Sequence, residues 1–199
     1  MTGNAGSHHG GKGLFREYIE AILVALIAAL VIRTFVAQAF RIPSGSMIPT
    51  LLVGDQLLVD KVAYRFRYPA RGDIVVFKYP EDESRDFIKR VIGLPGDTVE
   101  VREKAVYING TPLNERYAYH DALDHMHIMI RDNFGPVTVP PDKYFVMGDN
   151  RENSQDSRFW GFLEREKVIG RAFILYWSRD ADSFFPLGIR WSRFGRLIE

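Results

Sequence analysis

Two runs rich in β-branched and aromatic residues lie close together in "RGDIVVFKYPEDESRDFIKRVIGLPGD", residues 71–97. Gly-Asp or Pro residues border both runs, a pattern typical of short strands. No sustained helical periodicity follows residue 45. We therefore expect a mainly β protein built on a large antiparallel β-sheet. The strand-like runs cover residues 55–64, 73–79, 87–94, 143–148 and 167–178.

A smaller element is predicted in the middle of the chain. Residues 98–113, "TVEVREKAVYINGTPL", alternate apolar and polar side chains, and Asn109-Gly110 is a typical tight turn, so a hairpin is expected. Residues 114–138 are polar and weakly patterned. We interpret residues 100–138, approximately, as a small inserted excursion, too short for a large second β-domain.

The N-terminal part contains an apolar segment, "EAILVALIAALVIRTFVAQAF", residues 20–40. Its uncharged core, residues 21–32, is shorter than the roughly 20 residues that span a bilayer. Residues 18–40 are long enough if Glu20 and Arg33, near the ends, extend their charged groups to the interface. The segment is therefore predicted to be a transmembrane helix.

The charges before the segment predict its orientation. Lys12 and Arg16 precede it, and basic residues favour the cytoplasmic side. We expect a cytoplasmic tail at residues 1–16, a single-pass signal anchor at residues 17–40 in the cytoplasmic membrane, and an extracytoplasmic catalytic domain at residues 41–199.

Two other interpretations of the apolar segment are open. It could be a buried core helix, or a cleaved signal peptide ending at Ala37-Gln38-Ala39. Arg33 interrupts the path from the apolar core to that cleavage site, and a chemically suggestive stretch follows directly. A retained anchor is therefore favoured.

Composition excludes several kinds of site. The chain has 26 basic and 25 acidic residues, so its charge does not indicate a nucleic-acid partner. It has no cysteine, which rules out disulfides, thiolate catalysis and cysteine-ligated metals. We expect no cofactor and no metal.

The chemically suggestive stretch is "RIPSGSMIPT", residues 41–50, which contains Ser44 and Ser46. An ordinary Pro/Gly/Ser turn is the simpler interpretation. A serine nucleophile needs a neighbouring base. All histidines lie in the tail or in the polar excursion, which disfavours a Ser-His-Asp triad: His8, His9, His120, His125 and His127.

Lys89 is the alternative base. Strand alternation places it on the same face as Phe87 and Val91, with Arg90 pointing the other way. Burial lowers a lysine pKa by up to about 3–5 units, and about three units, roughly 4 kcal/mol, make the neutral amine common near pH 7. A Ser-Lys pair is physically reasonable, although lysines in such settings also extend to solvent at sheet edges.

Five segments occur in order and at compatible spacing: "PSGSMIPT", "GDQLLVDKVAY", "RGDIVVFKYP", "FIKRVIGLPGD" and "MGDNRENSQDSRFWGFL". Together they resemble the successive sequence boxes of the type I signal peptidases, over residues 40–97 and 139–178. The resemblance implies a membrane-anchored Ser-Lys endopeptidase with a mostly antiparallel β fold and its site beside the membrane surface. Its substrates would be exported preproteins, whose signal peptides it removes after small residues (Ala-x-Ala) through an acyl-enzyme.

The resemblance also implies residue roles. Ser46 resembles the nucleophile and Lys89 the general base, while Ser44 joins the Ser46 backbone N–H in the oxyanion hole. The supporting residues follow the same pattern. Ser154 resembles the serine that orients the lysine, Asp156 and Arg158 a supporting ion pair, and Gly148 and Asp149 the turn packed near the lysine.

Apolar pockets for small side chains are expected beside the nucleophile. An extended substrate could add as a strand along an exposed sheet edge. The candidates, by resemblance and apolar character, are Phe40, Ile42, Met47, Leu51 and Ile88, and core packing is the alternative for each. The C-terminal residues 183–199 mix aromatic and Arg side chains, which suits lipid headgroups or core packing of the aromatics.

Two rival functions are open. A self-cleaving Ser-Lys repressor would share the dyad, but it should carry a helix-turn-helix where this chain has an apolar segment. A membrane-tethered cation-binding module would use polar residues of the excursion, whose spacing fits no named site: His120, Asp121, Asp124, His125 and His127.

Overall fold

The apolar segment near the N-terminus forms helix α1, Gly11–Val31, which a π-helical turn, Ile32–Val36, extends. The computed structural model of the chain describes residues 11–121, 129–180, 183 and 187–199. Large apolar side chains of α1 are exposed, among them Val24 at 66% and Ile27 at 61%. Among the described residues, no helix combines the length and the apolar character that a bilayer span needs. The compact unit that contains α1 ends at Ala37.

The second compact unit, Gln38–Glu199, is built on two sheets. The strands are β1 (Ala37–Arg41), β2 (Asp55–Asp60), β3 (Ile74–Tyr79), β4 (Asp82–Gly93), β5 (Thr98–Arg102), β6 (Ala105–Ile108), β7 (Thr111–Pro112), β8 (Phe134–Thr138), β9 (Lys143–Met147), β10 (Leu163–Glu164) and β11 (Val168–Ser178).

The large sheet has seven strands in the order β1-β2-β11-β3-β4-β9-β10, and the pairings from β2 to β10 are antiparallel. The expected mainly β, antiparallel fold is confirmed. In β2 buried and half-buried residues alternate, as in a strand with one face on the core. Central β3 is buried on both faces between β11 and β4, which explains its continuous apolar run.

The predicted strand at residues 55–64 is too long. The strand ends at Asp60 because the Asp60 carboxylate accepts hydrogen bonds from the N–H groups of Val62 (2.8 Å) and Ala63 (3.0 Å). These bonds turn the chain into the short helix α2, Ala63–Phe66.

The second sheet has four strands in the order β7-β6-β5-β8 and occupies the excursion. One turn was expected there, at Asn109-Gly110, and the structure has a second at Glu103-Lys104, where both residues take positive φ. The Glu-Lys pair carries no turn signal. Instead, contacts distant in sequence hold this turn, because Lys104 N donates to the Asp132 carbonyl and Glu103 N to Asn133 Oδ1.

Two further helices of four residues lie in the second unit, α3 (Met129–Asp132) and α4 (Ser157–Trp160). Near the C-terminus, Arg193 is only 8% exposed and donates to Asp55 from Nε (3.1 Å) and Nη2 (2.5 Å). This arginine therefore supports the core and does not face a headgroup region. Trp191 stacks on Phe194 and is 69% exposed. Residues 184–186, which include two of the aromatics considered for that region, lie outside the described residues.

Candidate active site

The loop between β1 and β2 positions Ser46. Met47 and Leu51, which follow it, have no exposed surface and belong to the core that β2, β3 and β11 share. On the other side, Asn150 donates from its backbone N to the Ser46 carbonyl (3.1 Å) and from Nδ2 to the Gly45 carbonyl (3.2 Å). The serine backbone is thus held from both sides, while its side chain borders a cleft.

Lys89 lies on β4, opposite Val75 of β3, and is 4% exposed. Its Nζ donates to Ser46 Oγ at 2.8 Å and to the Ile88 carbonyl at 3.0 Å. The same nitrogen lies 5.4 Å from the centre of the Phe87 ring, on the face that strand alternation predicts. The structure therefore brings the predicted nucleophile and base within hydrogen-bonding distance.

Burial changes the proton affinity of this amine. Loss of hydration lowers the pKa of Lys89 from 10.5 to about 8; Asp156 and Asp149 oppose this shift, and Arg158 adds to it. About a tenth of the amine is then neutral at pH 7. A neutral amine can accept the Ser46 proton across the same 2.8 Å.

The segment between β9 and α4 lies close to Lys89 and contains Asp149 and Asp156, whose charges act on the amine. Asp156 is fully buried and accepts from Arg158 Nε (2.9 Å), from Arg158 Nη2 (2.8 Å) and from Gly148 N (3.1 Å). Burial raises the pKa of Asp156, but the Arg158 cation and these hydrogen bonds bring it below the ordinary value. Arg158 also donates to the carbonyls of Arg131 and Arg151, so the ion pair cross-links this segment.

Ser154 and Gly148 pack against the nucleophile loop. A Cβ at Gly148 would overlap Ser154 Oγ and lie 2.5 Å from the Ser46 carbonyl oxygen, so only glycine fits. Ser154 Oγ is buried, and within the described part of the chain it has no hydrogen bond of standard geometry. It is close enough to Asp156 to help lower the pKa of that carboxyl group. The hydrogen bond from Ser154 to Lys89 that the family resemblance implies is not formed, and its orienting role stays a prediction.

The sequence did not reveal the partner of Asp149. Arg90 binds it with two parallel hydrogen bonds of 2.8 Å, and both side chains are almost fully buried. Thr50 Oγ1 donates to the same carboxylate at 2.6 Å. The Arg90 guanidinium also lies 3.9 Å from the centre of the Tyr117 ring. Alternation indicated that Arg90 points away from Lys89, but a partner 59 residues along the chain has no local signal.

Ser46 and Lys89 open onto a cleft of about 540 Å³. One wall is the loop segment that includes exposed Ser44, and the other is the middle of β4, residues 85–89. The lining residues are Pro43, Ser44, Gly45, Ser46, Arg85, Asp86, Phe87, Ile88, Lys89, Asn153 and Gln155. A cleft of about 680 Å³ around Tyr64 and Arg165 contains neither predicted catalytic residue.

Only one of the five apolar pocket candidates, Ile88, lines this cleft. Ile42, Met47 and Leu51 are at most 3% exposed and belong to the core, and Phe40 packs against the same cluster. For the three buried residues the observed environment is the core packing that was the alternative interpretation.

The residues considered for a cation site are only partly described. His120 Nδ1 lies 3.0 Å from Glu152 Oε1, and the backbone N–H of Asp121 donates to the same carboxylate. Residues 122–128, which contain Asp124, His125 and His127, lie outside the described residues. No group of three or more potential metal ligands occurs in the part that is described.

Comparison with known proteins adds an independent finding. The family model described as "Signal peptidase, peptidase S26" matches residues 15–177. The chain is 49% identical over 168 residues to "Probable signal peptidase I-2" of Synechocystis sp., covering 81% of this chain and 72% of that protein. It is 37% identical over 224 residues to "Signal peptidase I" of Aquifex aeolicus, covering 86% of this chain and 88% of the relative. A crystal structure of a signal peptidase I from Enterococcus faecalis aligns with a TM-score of 0.43 and 36% identity, over 53% of this chain and 97% of that one.

Proposed function

This chain belongs to the signal peptidase family, peptidase S26, and from that premise we propose that Ser46 and Lys89 are its catalytic dyad. As a member of the family it is a serine endopeptidase that cleaves signal peptides. The observation that supports this dyad most strongly is the 2.8 Å contact between Lys89 Nζ and Ser46 Oγ in an almost fully buried setting.

The first half of the reaction forms an acyl-enzyme. Neutral Lys89 accepts the hydroxyl proton as Ser46 Oγ attacks the carbonyl carbon of the scissile peptide bond. The tetrahedral oxyanion receives hydrogen bonds from the Ser46 backbone N–H and from the Ser44 hydroxyl, which lies at the cleft. The C–N bond then breaks, and the Lys89 ammonium protonates the departing amine.

The second half regenerates the enzyme. With Lys89 neutral again, it accepts a proton from a water molecule that attacks the acyl carbon. The ester bond to Ser46 Oγ breaks, the proton returns from Lys89 to that oxygen, and the carboxylate product leaves. The buried carboxyl groups of Asp156 and Asp149 stabilise the transient ammonium, since both raise the pKa of Lys89.

The substrate is proposed to bind as an extended strand. Pairing of β4 with β9 begins at Arg90, so residues 82–89 pair only with β3 among the described residues. A preprotein segment can hydrogen-bond to this free edge, with Ile88 contributing to a pocket for small side chains. We therefore expect the enzyme to cleave preproteins after Ala-x-Ala sites.

Membrane attachment is part of the same proposal. We assign residues 17–36 of the predicted segment 17–40 as the anchor, because residues 37–40 belong to strand β1. The catalytic domain then lies on the extracytoplasmic side, with lipid as a partner. Support comes from the exposed apolar side chains of α1 and from the basic residues Lys12 and Arg16. Retention of the full chain in carbonate-washed membranes tests attachment, and protease accessibility of intact vesicles tests orientation. Release by carbonate would refute the anchor without affecting the dyad.

The test of the dyad is cleavage of a preprotein that carries an Ala-x-Ala site. We expect Ser46→Ala and Lys89→Ala to lose cleavage while remaining folded. Lys143→Ala is the matched control, because that half-exposed lysine pairs with Glu164 outside the cleft and should keep the wild-type rate. If Lys89→Ala keeps most of its rate, Lys89 is not the base. If the chain cleaves only itself, the self-cleaving repressor chemistry applies instead.

A further inference from the structure

Arg85 forms part of the cleft wall at some distance from the dyad. Its guanidinium carbon lies 5.1 Å from the centre of the Phe87 ring and 5.5 Å from that of Tyr79, and these two rings stack at 4.2 Å. Lys89 Nζ lies over the same Phe87 ring, so Arg85, Phe87 and Lys89 follow one another on one face of β4. Stacking on the two rings holds the exposed cation in place.

Carboxylates near this cation have other partners. Asp86 pairs with Lys78 at 2.8 Å, and Glu83 pairs with Lys167 at 2.9 Å. Asp82 accepts from Ser84, and Glu81 accepts from the Tyr79 hydroxyl. The hydrogen bonds from Ser84 lower the pKa of Asp82, and Arg85 adds to this only through a longer-range charge interaction. Among the described residues, no carboxylate lies within ion-pair distance of Arg85, so its charge is available to a ligand in the cleft.

The strand geometry relates Arg85 to the scissile bond. Residues of a β-strand advance about 3.3 Å each, so Arg85 lies about 13 Å along β4 from Lys89. A substrate strand on the free edge of β4 runs alongside at the same rise per residue. The substrate side chain that faces Arg85 is therefore about four residues from the bond that Ser46 attacks.

We propose that Arg85 is a specificity-determining residue that favours preproteins with an acidic side chain about four residues from the cleavage site. This inference rests on the proposed function, because it concerns the same cleft. An ion pair of this exposure changes kcat/KM by about two- to five-fold. High salt reduces the preference, because it screens exposed charges.

The experiment uses the full chain in detergent and synthetic peptides with a single Ala-x-Ala site. Matched peptides carry Asp, Asn or Lys at the third, fourth or fifth residue before or after the scissile bond. The variants are Arg85→Glu and Arg85→Gln. Arg102→Glu is the matched control, because Arg102 is also an exposed arginine over a tyrosine ring, Tyr107, but lies on the second sheet.

We expect the wild type and Arg102→Glu to cleave the Asp peptide faster than the Lys peptide at one of these positions. Arg85→Gln should cleave both at similar rates, and Arg85→Glu should prefer Lys. The side of the scissile bond on which the effect occurs gives the direction of the substrate strand. Equal Asp-to-Lys ratios in the wild type and Arg85→Glu, with all peptides cleaved, would refute the role of Arg85 alone. Failure of the wild type to cleave any peptide would count against the proposed function.

Discussion

Arg90, the residue after Lys89 on β4, forms a buried two-bond ion pair with Asp149, next to the residue that holds the Ser46 backbone. Since Asn150 donates to the Ser46 carbonyl, the pair couples the lysine strand to the serine loop. The Asp149 carboxylate accepts from both Arg90 and Thr50, so a substitution that removes an acceptor oxygen leaves buried donors unsatisfied. This connection holds Lys89 and Ser46 in fixed positions relative to each other.

Asp149→Asn should therefore lower the free energy of unfolding by about 3 kcal/mol or more, because the Arg90 cation stays buried without its partner. Urea denaturation measures the change. Asp142→Asn is the matched control: that carboxylate is exposed, lies 4.0 Å from Arg165, and should cost under about 1 kcal/mol. Equal losses in the two variants would contradict the importance of the buried pair.

The rate of cleavage should depend on the protonation of Lys89. With a pKa of about 8 for this amine, kcat/KM should rise about tenfold per pH unit below that value and level off above it. Measuring kcat/KM as a function of pH tests this rise, with a peptide that has no ionisable groups near the scissile bond. A profile that is flat from pH 6 to 9 would contradict the role of Lys89 as the base.

Replacing the buried amine by an apolar chain of similar length should stabilise the protein while removing activity. Between pH 8 and 10.5 the unfolded wild type holds more protons than the folded form, so its stability rises with pH across this window. Lys89→Met lacks this dependence. The free energy of unfolding of Lys89→Met should exceed that of the wild type by at most about 3 kcal/mol below pH 8, and the difference should disappear towards pH 10.5. Urea denaturation of the wild type and Lys89→Met at pH 7 and at pH 10.5 measures this difference. A lower free energy of unfolding for Lys89→Met than for the wild type at pH 7 would contradict the expected cost of burying the amine.

Gly148→Ala should distort the site because its Cβ would overlap Ser154 and approach the Ser46 carbonyl oxygen. We expect a loss of stability of about 1–3 kcal/mol and a lower kcat, measured by thermal unfolding and peptide cleavage. The double variant Gly148→Ala/Ser154→Gly removes one of the two overlaps and should recover part of the stability. Wild-type activity in Gly148→Ala would show that the close approach is unnecessary.

Ser44 tests the oxyanion hole separately from the dyad. Ser44→Ala should reduce kcat by about 10²- to 10³-fold with little change in KM, since the hydrogen bond strengthens in the transition state. Stability should not change, because the residue is exposed. Ser44→Thr keeps the hydroxyl and should keep much of the rate. Similar losses in both variants would assign the effect to the shape of the loop.

Much of the architecture could be predicted because its signals are local. The runs that became β3, β9 and β11 were identified to within one residue, since alternation and Gly or Pro borders act over a few residues. The turn at Glu103-Lys104 was missed because its support comes from residues about 30 positions away. Strand β8 was missed because its pattern is weak, and it forms by pairing with β5.

The sequence by itself determined the strand pattern, the ordered motifs of the family and the identity of Ser46 and Lys89 as candidate partners. Only the tertiary structure decided the partner of each of these buried charges. Arg90 pairs with Asp149, 59 residues away, and Arg193 pairs with Asp55, 138 residues away. It also decided the pKa of Lys89, and it placed Met47 and Leu51 in the core rather than in a pocket. The physical reason is that the hydration of a buried side chain and its distance from a charged partner depend on segments far apart in the chain. Packing sets both only when the whole sheet assembles.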